Sequence, residues 1–181
     1  MMNPLMEQHE KKNYSEIIKH LKKGELDGFF DTLYEDSKTA IFYNIYSFLH
    51  DYHLAEDILQ ETYVRFLENI DHVKERENPL SYLIVISKNL SLDLIRKKEK
   101  ERSLSEYEEA VIPSSDDIKK EVNSSALLNR ICSLLSSERF EIFYLKAMED
   151  YTQKDIAKIL HKPIGTVGYE YSEALKTLRK E

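Results

Sequence analysis

Three groups of side chains in this sequence have types and spacings that could do chemistry. The first is Asp57, Gln60 and Glu61, inside HLAEDILQETYVRFLENI. Offsets of three and four residues put them on one side of a helix, where carboxylates and an amide can take paired hydrogen bonds from arginines. The second is a run of cations, Arg96, Lys97, Lys98, Lys100 and Arg102, preceded by Lys88 and Asn89. From Lys88 onward six cations face Asp93, Glu99 and Glu101, a net +3 and the strongest basic patch in the chain. Such a patch suits a phosphate backbone. The third is TQKDIAKILHKPIGTVGYEYSEALKTLRKE, which reads as two short helices around a His161-Lys162-Pro163 corner. Lys162 at the corner and Thr166, Tyr169, Ser172 and Lys176 on the second helix, with Arg179, could touch a ligand.

Catalytic chemistry finds little support. There is no glycine-rich phosphate loop and no histidine paired with a nucleophile. His50 and His53 stand three residues apart near Asp57, a thin metal pattern at a helix end where solvated histidines are common. Asp57 and Glu61 lack the Glu-x-x-His partners of a di-metal bundle site. No catalytic residue, metal or cofactor is expected.

These groups must be positioned by helices. The chain has 181 residues, 41% of them hydrophobic, with only four glycines and four prolines. That is too few for the tight turns of an all-β protein, and strong helix formers dominate, so the fold class expected is all-α. Net charge is −7, unevenly spread: 15 basic against 19 acidic residues over 1–102, 2 against 6 over 103–122, and 9 against 8 over 123–181. An acidic chain grips nucleic acid only through local patches or with a basic partner. A single cysteine, Cys132, among Ile131, Leu134 and Leu135, reads as a small core residue and excludes an internal disulfide. MMNPLMEQHEKK has no apolar signal core, and no apolar run reaches the length of a membrane span. A cytoplasmic protein without membrane insertion is expected.

Periodicity predicts two small helical domains. Residues 1–12 form a flexible leader and 13–102 the first domain. Its helices are Asn13–Lys23, Leu26–Leu49, Leu54–Ile70 and Leu80 to about Arg102, with a polar loop over 71–78. In the third, Ala55, Ile58, Leu59, Thr62, Phe66 and Ile70 make one apolar stripe; in the fourth, Leu83, Ile86, Leu90 and Leu94 point inward. Residues 103–122, SLSEYEEAVIPSSDDIKKEV, are acidic and serine-rich and read as a flexible linker. The second domain, 123–181, holds helices near 123–135, 137–149, 152–160 and 163–180. Thr152 is a natural N-cap with Asp155 three residues on, Ile156, Ala157 and Leu160 face inward, and Val167, Tyr171, Ala174, Leu175 and Leu178 are buried. Small Ala157 lets the two helices cross closely, as a helix-turn-helix needs, though an ordinary antiparallel helix pair would fit the spacing as well.

These residues resemble a known family, the extracytoplasmic-function (group IV) bacterial sigma factors of RNA polymerase. The C-terminal stretch is similar to region 4.2, with Gly165, Thr166 and Val167 at its Gly-Thr-Val, and SSERFEIFYLKAMEDYT resembles region 4.1, with Arg139 at the usual arginine. Independently, Ala55, Glu56, Asp57, Gln60 and Glu61 match the Ala-Glu-Asp and Gln-Glu of region 2.2. NPLSYLIVISKNLSLDLIRKK resembles regions 2.3 and 2.4, with Tyr82-Leu83 for the family's Trp-Leu and Asn89, Asp93 and Arg96 at its Asn, Asp and Arg. The resemblance covers about 25–181 and implies a region 2 helical bundle and a region 4 helix-turn-helix.

The same resemblance implies partners and roles. Asp57, Gln60 and Glu61 would dock on the β′ clamp helices of core RNA polymerase, whose β flap is the second contact. Lys88, Asn89, Arg96 and Lys97, with the loop 71–78, would hold the −10 element of promoter DNA as a single strand. Asp93 fits equally an intrahelical brace between Asn89 and Lys97, and Tyr82 simple core packing. The linker would thread the RNA exit path, its six acids imitating nucleic acid, or else serve as a solubilising tether. An anti-sigma factor that masks both domains is a further implied partner. Where the family places Lys-Ser-Arg after Gly-Thr-Val, this chain has Gly168, Tyr169 and Glu170, followed by Glu173. Both glutamates are expected to face outward and repel phosphate, which makes contact with the −35 element weak or atypical and dependent on polymerase tethering. Two other readings stay open: a sigma-like module that binds polymerase or another protein but has lost promoter recognition, and a free-standing helix-turn-helix repressor.

Overall fold

The structure, a computed structural model, describes residues 14–104 and 124–180. The expected leader over 1–12 and nearly all of the expected linker over 103–122 lie outside the described residues. Among the described residues there are eight α-helices, one 3-10 turn and no strand. They are α1 (Tyr14–Lys22), α2 (Phe29–Leu49), α3 (Tyr52–Glu68), the 3-10 turn Ile70–His72, α4 (Pro79–Leu104), α5 (Ser124–Leu134), α6 (Ser137–Ala147), α7 (Gln153–Ile159) and α8 (Ile164–Leu178).

Local chemistry sets the ends. α2 stops where His50 takes a left-handed conformation, φ 49°, and returns its N–H to the Tyr46 carbonyl. Asp51 then caps α3, its carboxylate accepting from the Leu54 N–H at 3.0 Å. Pro79 opens α4 at the position where a missing N–H costs nothing, and Asn78 Oδ1 accepts from the Leu80 N–H at 3.0 Å.

α2 is the hub. α1, α3 and α4 pack around it, and so do α5 and α6 from the second half of the chain. Leu33, Ile41, Ile45, Phe66 and Leu83 are completely buried between these helices. Tyr43, Asn44, Tyr46 and Ser47 of α2 are buried as well, because α5 and α6 cover a second side. On α3 the buried residues are Ala55, Leu59, Thr62 and Phe66 together with Tyr63, which the stripe omitted. Tyr63 pairs its hydroxyl with Ser37 Oγ at 2.7 Å and meets Phe30 and Tyr34 edge-on. Ile58 and Ile70 are only half-buried.

α4 departs from expectation by a small rotation. Leu83 is buried as anticipated, but Ile86, Leu90 and Leu94 are half-buried, and Leu80, Ile84, Ser87 and Ser91 take the inner positions. The small serines let α4 approach α2 closely. Asn44 Nδ2 donates to Ser87 Oγ at 3.1 Å, and Ser91 returns its hydroxyl to the Ser87 carbonyl at 2.8 Å.

In the second half, α6, α7 and α8 close around Phe140, Ile142, Ile156 and Val167, with Cys132 of α5 also fully buried. Burial pushes the Cys132 thiol up to about 12, which leaves it an inert core residue. Thr152 caps α7 as expected, accepting from the Asp155 N–H at 3.1 Å while its hydroxyl donates to the Asp155 carboxylate at 2.6 Å. α7 turns Ile156 and Ile159 inward, with Ala157 and Leu160 half-buried, and on α8 only Val167 and Ala174 of the expected stripe are fully buried. No helix among the described residues is long and apolar enough to cross a membrane.

Candidate protein and nucleic-acid interfaces

The outer face of α3 carries Asp57 and Gln60, both exposed, and Glu61, half-buried. One helical face therefore presents all three. Glu61 is not idle: its Oε1 accepts from Arg65 Nε at 2.6 Å, one turn on. That bond raises the Arg65 pKa, with Glu68 and Asp93 of α4 adding to the effect. Val64, 51% exposed, lies one turn from Gln60 and Glu61 and gives the acidic face an apolar spot.

The basic end of α4 projects past the bundle. Asn89, Arg96, Lys97, Lys98, Lys100 and Arg102 are exposed. Asp93 pairs with Arg96, whose guanidinium donates at 3.0 Å, and so braces the helix toward Arg96 rather than Lys97. Lys88 differs from the others. It is half-buried and near Glu138 and Glu141 of α6, on whose carboxyls its charge acts. The loop over 71–78 is less open than its polar sequence implies: the 3-10 turn occupies its start and Val73 is buried. The Tyr82 hydroxyl donates to the His72 carbonyl at 3.0 Å, so this tyrosine pins the loop to α4.

α7 and α8 form the expected helix-turn-helix. The corner is tight: His161 sits in the left-handed region, φ 50°, and the Lys162 N–H reaches the Ala157 carbonyl at 2.9 Å. Of the residues expected to touch a ligand, Tyr169, Ser172 and Lys176 are exposed and Thr166 is half-buried. Lys162 is turned back, its ammonium on Glu138 at 2.5 Å. Lys176 holds Glu173 at 2.6 Å.

The expectation for Glu170 requires correction. It does not face outward: its side chain is 19% exposed and its carboxylate accepts from Arg139 Nε of α6 at 2.7 Å. The reason is charge. Arg139 offers a fixed fork of donors across the α6–α8 contact, and Glu170 is the acid within reach. Glu173, 25% exposed, is likewise drawn along the helix by Lys176. The outer face of α8 is therefore nearly neutral and partly apolar, with Ile164 54% and Tyr169 60% exposed.

Sequence reasoning missed Glu138 and Glu141. Both carboxylates stand where the two halves of the chain meet. Glu141 carried a signal: it is the lone acid in the apolar run Phe140–Leu145, where neighbours on every side are buried.

Comparison with known proteins decides what this arrangement is. Residues 33–101 match the family model described as sigma-70 region 2, and residues 126–178 match sigma-70, region 4. The ECF RNA polymerase sigma factor SigW of Bacillus subtilis (strain 168) is 30% identical over 178 residues, covering 91% of this chain and 94% of SigW. The chain belongs to the extracytoplasmic-function (ECF) sigma factors. SigM of the same organism is 26% identical to this sigma factor over 160 residues, 82% of this chain and 93% of SigM. Among solved structures, the fold is similar to CnrH bound to the cytosolic domain of CnrY, with TM-score 0.66, 17% identity, and 93% and 96% of the two chains covered. It is also similar to RpoE bound to the anti-sigma factor NepR from Bartonella quintana, with TM-score 0.63, 21% identity, and 83% and 94% covered. The two-domain sigma architecture implied by the sequence motifs is thus the architecture of this chain, with region 2 matched over most of α2, α3 and α4, and region 4 over α5–α8.

Proposed function

We propose that this alternative sigma factor docks on core RNA polymerase through Asp57, Gln60 and Glu61 of α3 and opens promoter DNA with α4. The observation that carries the reading is the pairing of two unlike faces on adjacent helices. An exposed acid-and-amide face on α3 lies beside a protruding basic helix end on α4, where Arg65 feels Asp93. The acidic face suits the arginine-bearing β′ clamp helices. The clustered cations suit a phosphate backbone that the chain as a whole, at net −7, would repel.

Lys88, Asn89, Arg96 and Lys97 would hold the −10 strand while the loop over 71–78 reads an unstacked base. Domain two would reach the −35 element through Lys162, Thr166, Tyr169, Ser172 and Lys176, aided by the β flap. The burial of Glu170 supports some duplex contact, since it removes a repelling charge from the groove face. The mechanism is binding and strand opening without covalent chemistry. Both solved neighbours quoted above are complexes with a partner protein, one of them an anti-sigma factor, and we extend to this chain a partner of that kind.

The test is reconstituted transcription with core polymerase. The wild type is expected to join polymerase and redirect its promoter choice, and Glu61→Arg to lose polymerase on a pull-down while keeping its helical circular dichroism. Arg96→Ala with Lys97→Ala is expected to keep polymerase and lose −10 strand binding. If that pair transcribes like wild type, α4 is not the −10 reader. If Glu61→Arg still binds polymerase, the docking face lies elsewhere.

A further inference from the structure

The two halves of the chain share a seam that the proposed promoter contacts do not explain. α6 lies on α2, with the ring of Tyr43 stacked on Tyr144 at 6.0 Å between centroids and tilted against Phe140 at 6.4 Å. Ser137 Oγ donates to the Ser47 carbonyl at 2.8 Å. At another edge Asn78 Nδ2 donates to the Tyr151 hydroxyl at 3.3 Å, and Tyr151 also bonds the Tyr14 hydroxyl of α1. Asn78 belongs to the loop assigned to base reading, and Lys88, half-buried near α6, to the −10 backbone contact. Domain two therefore sits on one edge of the surface that −10 DNA would need.

At the centre of the seam is Glu141. It is 6% exposed, and among the described residues its Oε1 has no hydrogen-bond partner. Across the seam, Asn44 Oδ1 of α2 has none either. Both residues line one small apolar-walled cavity with Ala40, Ile84, Phe140, Tyr144 and Leu145. A buried carboxylate whose oxygen has no donor is costly, and taking up a proton removes that cost by making the carboxyl neutral. The charges around Glu141 are Lys88 of α4, Lys162 at the α7–α8 corner and Glu138 on its own helix; α2 brings the neutral Asn44 to the same cavity.

We propose that domain two is a cover over the −10 face of domain one, latched shut when Glu141 is protonated and released when Glu141 ionises. The cover's effect on DNA rests on the assignment of Asn78 and Lys88 made above; the latch does not. Burial pushes the Glu141 carboxyl up to about 7, against the opposing pull of Lys88 and Lys162. In an open chain the group would return toward its ordinary value of 4.5. The closed form thus holds its proton more tightly than the open form. Closure is fully favoured below the open value, weakens as pH rises, and has lost its full share once pH passes the closed value. Between about pH 6 and about pH 8.5 the open-to-closed ratio should rise roughly tenfold.

Small-angle scattering on the full chain, without DNA or polymerase, reads the latch. The wild type is expected to expand with pH over that interval. Glu141→Gln, which keeps the donor and cannot ionise, is expected to stay compact throughout, and Tyr151→Phe to be more expanded than wild type at every pH. A wild-type radius of gyration that does not change with pH overturns the proposal, whatever the variants do. So does expansion of Glu141→Gln that matches wild type. A second arm measures binding of a single-stranded −10 oligonucleotide by anisotropy. Affinity of the wild type should follow the expansion and that of Glu141→Gln should stay several-fold lower at high pH. Constant size with intact strand binding removes the cover and leaves the −10 assignment standing; expansion with no strand binding by the opened chain removes the −10 assignment and the cover's role with it.

Discussion

A single ion pair changes how the recognition helix is read. Glu170, taken from sequence as a barrier to phosphate, is held by Arg139 across the α6–α8 contact. The pair is self-neutralising, so the cost to DNA binding is not an outward negative charge but a captive positive one. Glu170→Ala should release Arg139, whose side chain is already 33% exposed. Titration of a −35 duplex at several salt concentrations is expected to show tighter binding at low salt and a salt slope steeper by about 0.9, the signature of one added phosphate contact. The variant should lose little stability, because the arginine of the pair is screened by solvent. An unchanged slope would mean that Arg139 lies outside the DNA path.

At the scale of the elements, what sequence revealed and what it hid divide along physical lines. Caps and corners were legible because their signals are local: Thr152 with Asp155 opens α7, and His161-Lys162-Pro163 makes the corner before α8. The helix-turn-helix and the acid-and-amide face of α3 were legible for the same reason. The inner face of α4 was not. Its close approach to α2 selects Ser87 and Ser91, and an apolar stripe cannot announce small polar residues that satisfy themselves within the helix. α2 was half legible, since a helix buried on two sides has no single stripe to read. Gly168 offers an element-scale test. A Cβ built there meets only the flexible Gln153 side chain, at 3.6 Å, an ordinary contact. Gly168→Ala should therefore gain up to about 1 kcal/mol of helix propensity. Thermal unfolding should shift upward by about 2–4 °C. A lower midpoint would show that α8 needs its glycine for a reason the packing does not contain.

For the molecule as a whole, the seam makes two domains into one cooperative body. The seam was not legible in the sequence, because the residues joining the halves are far apart along the chain, 90 positions in the Ser137–Ser47 bond. Tyr43 is the side chain that most directly couples them, buried on α2 with its ring against both Phe140 and Tyr144. Replacing a buried aromatic by alanine typically costs ~3–5 kcal/mol. Here much of that loss falls on the contact between domains rather than inside either one. Tyr43→Ala should therefore split unfolding. Calorimetry of the wild type, near the pH at which Glu141 is protonated, is expected to give a single transition, because α2 belongs to both cores. The variant is expected to give two, domain two melting apart from domain one, each with a calorimetric enthalpy close to its own van't Hoff value. A variant that melts in one transition, merely shifted down, would place Tyr43 inside a single folding unit and would remove the physical basis for a seam that opens before the domains unfold.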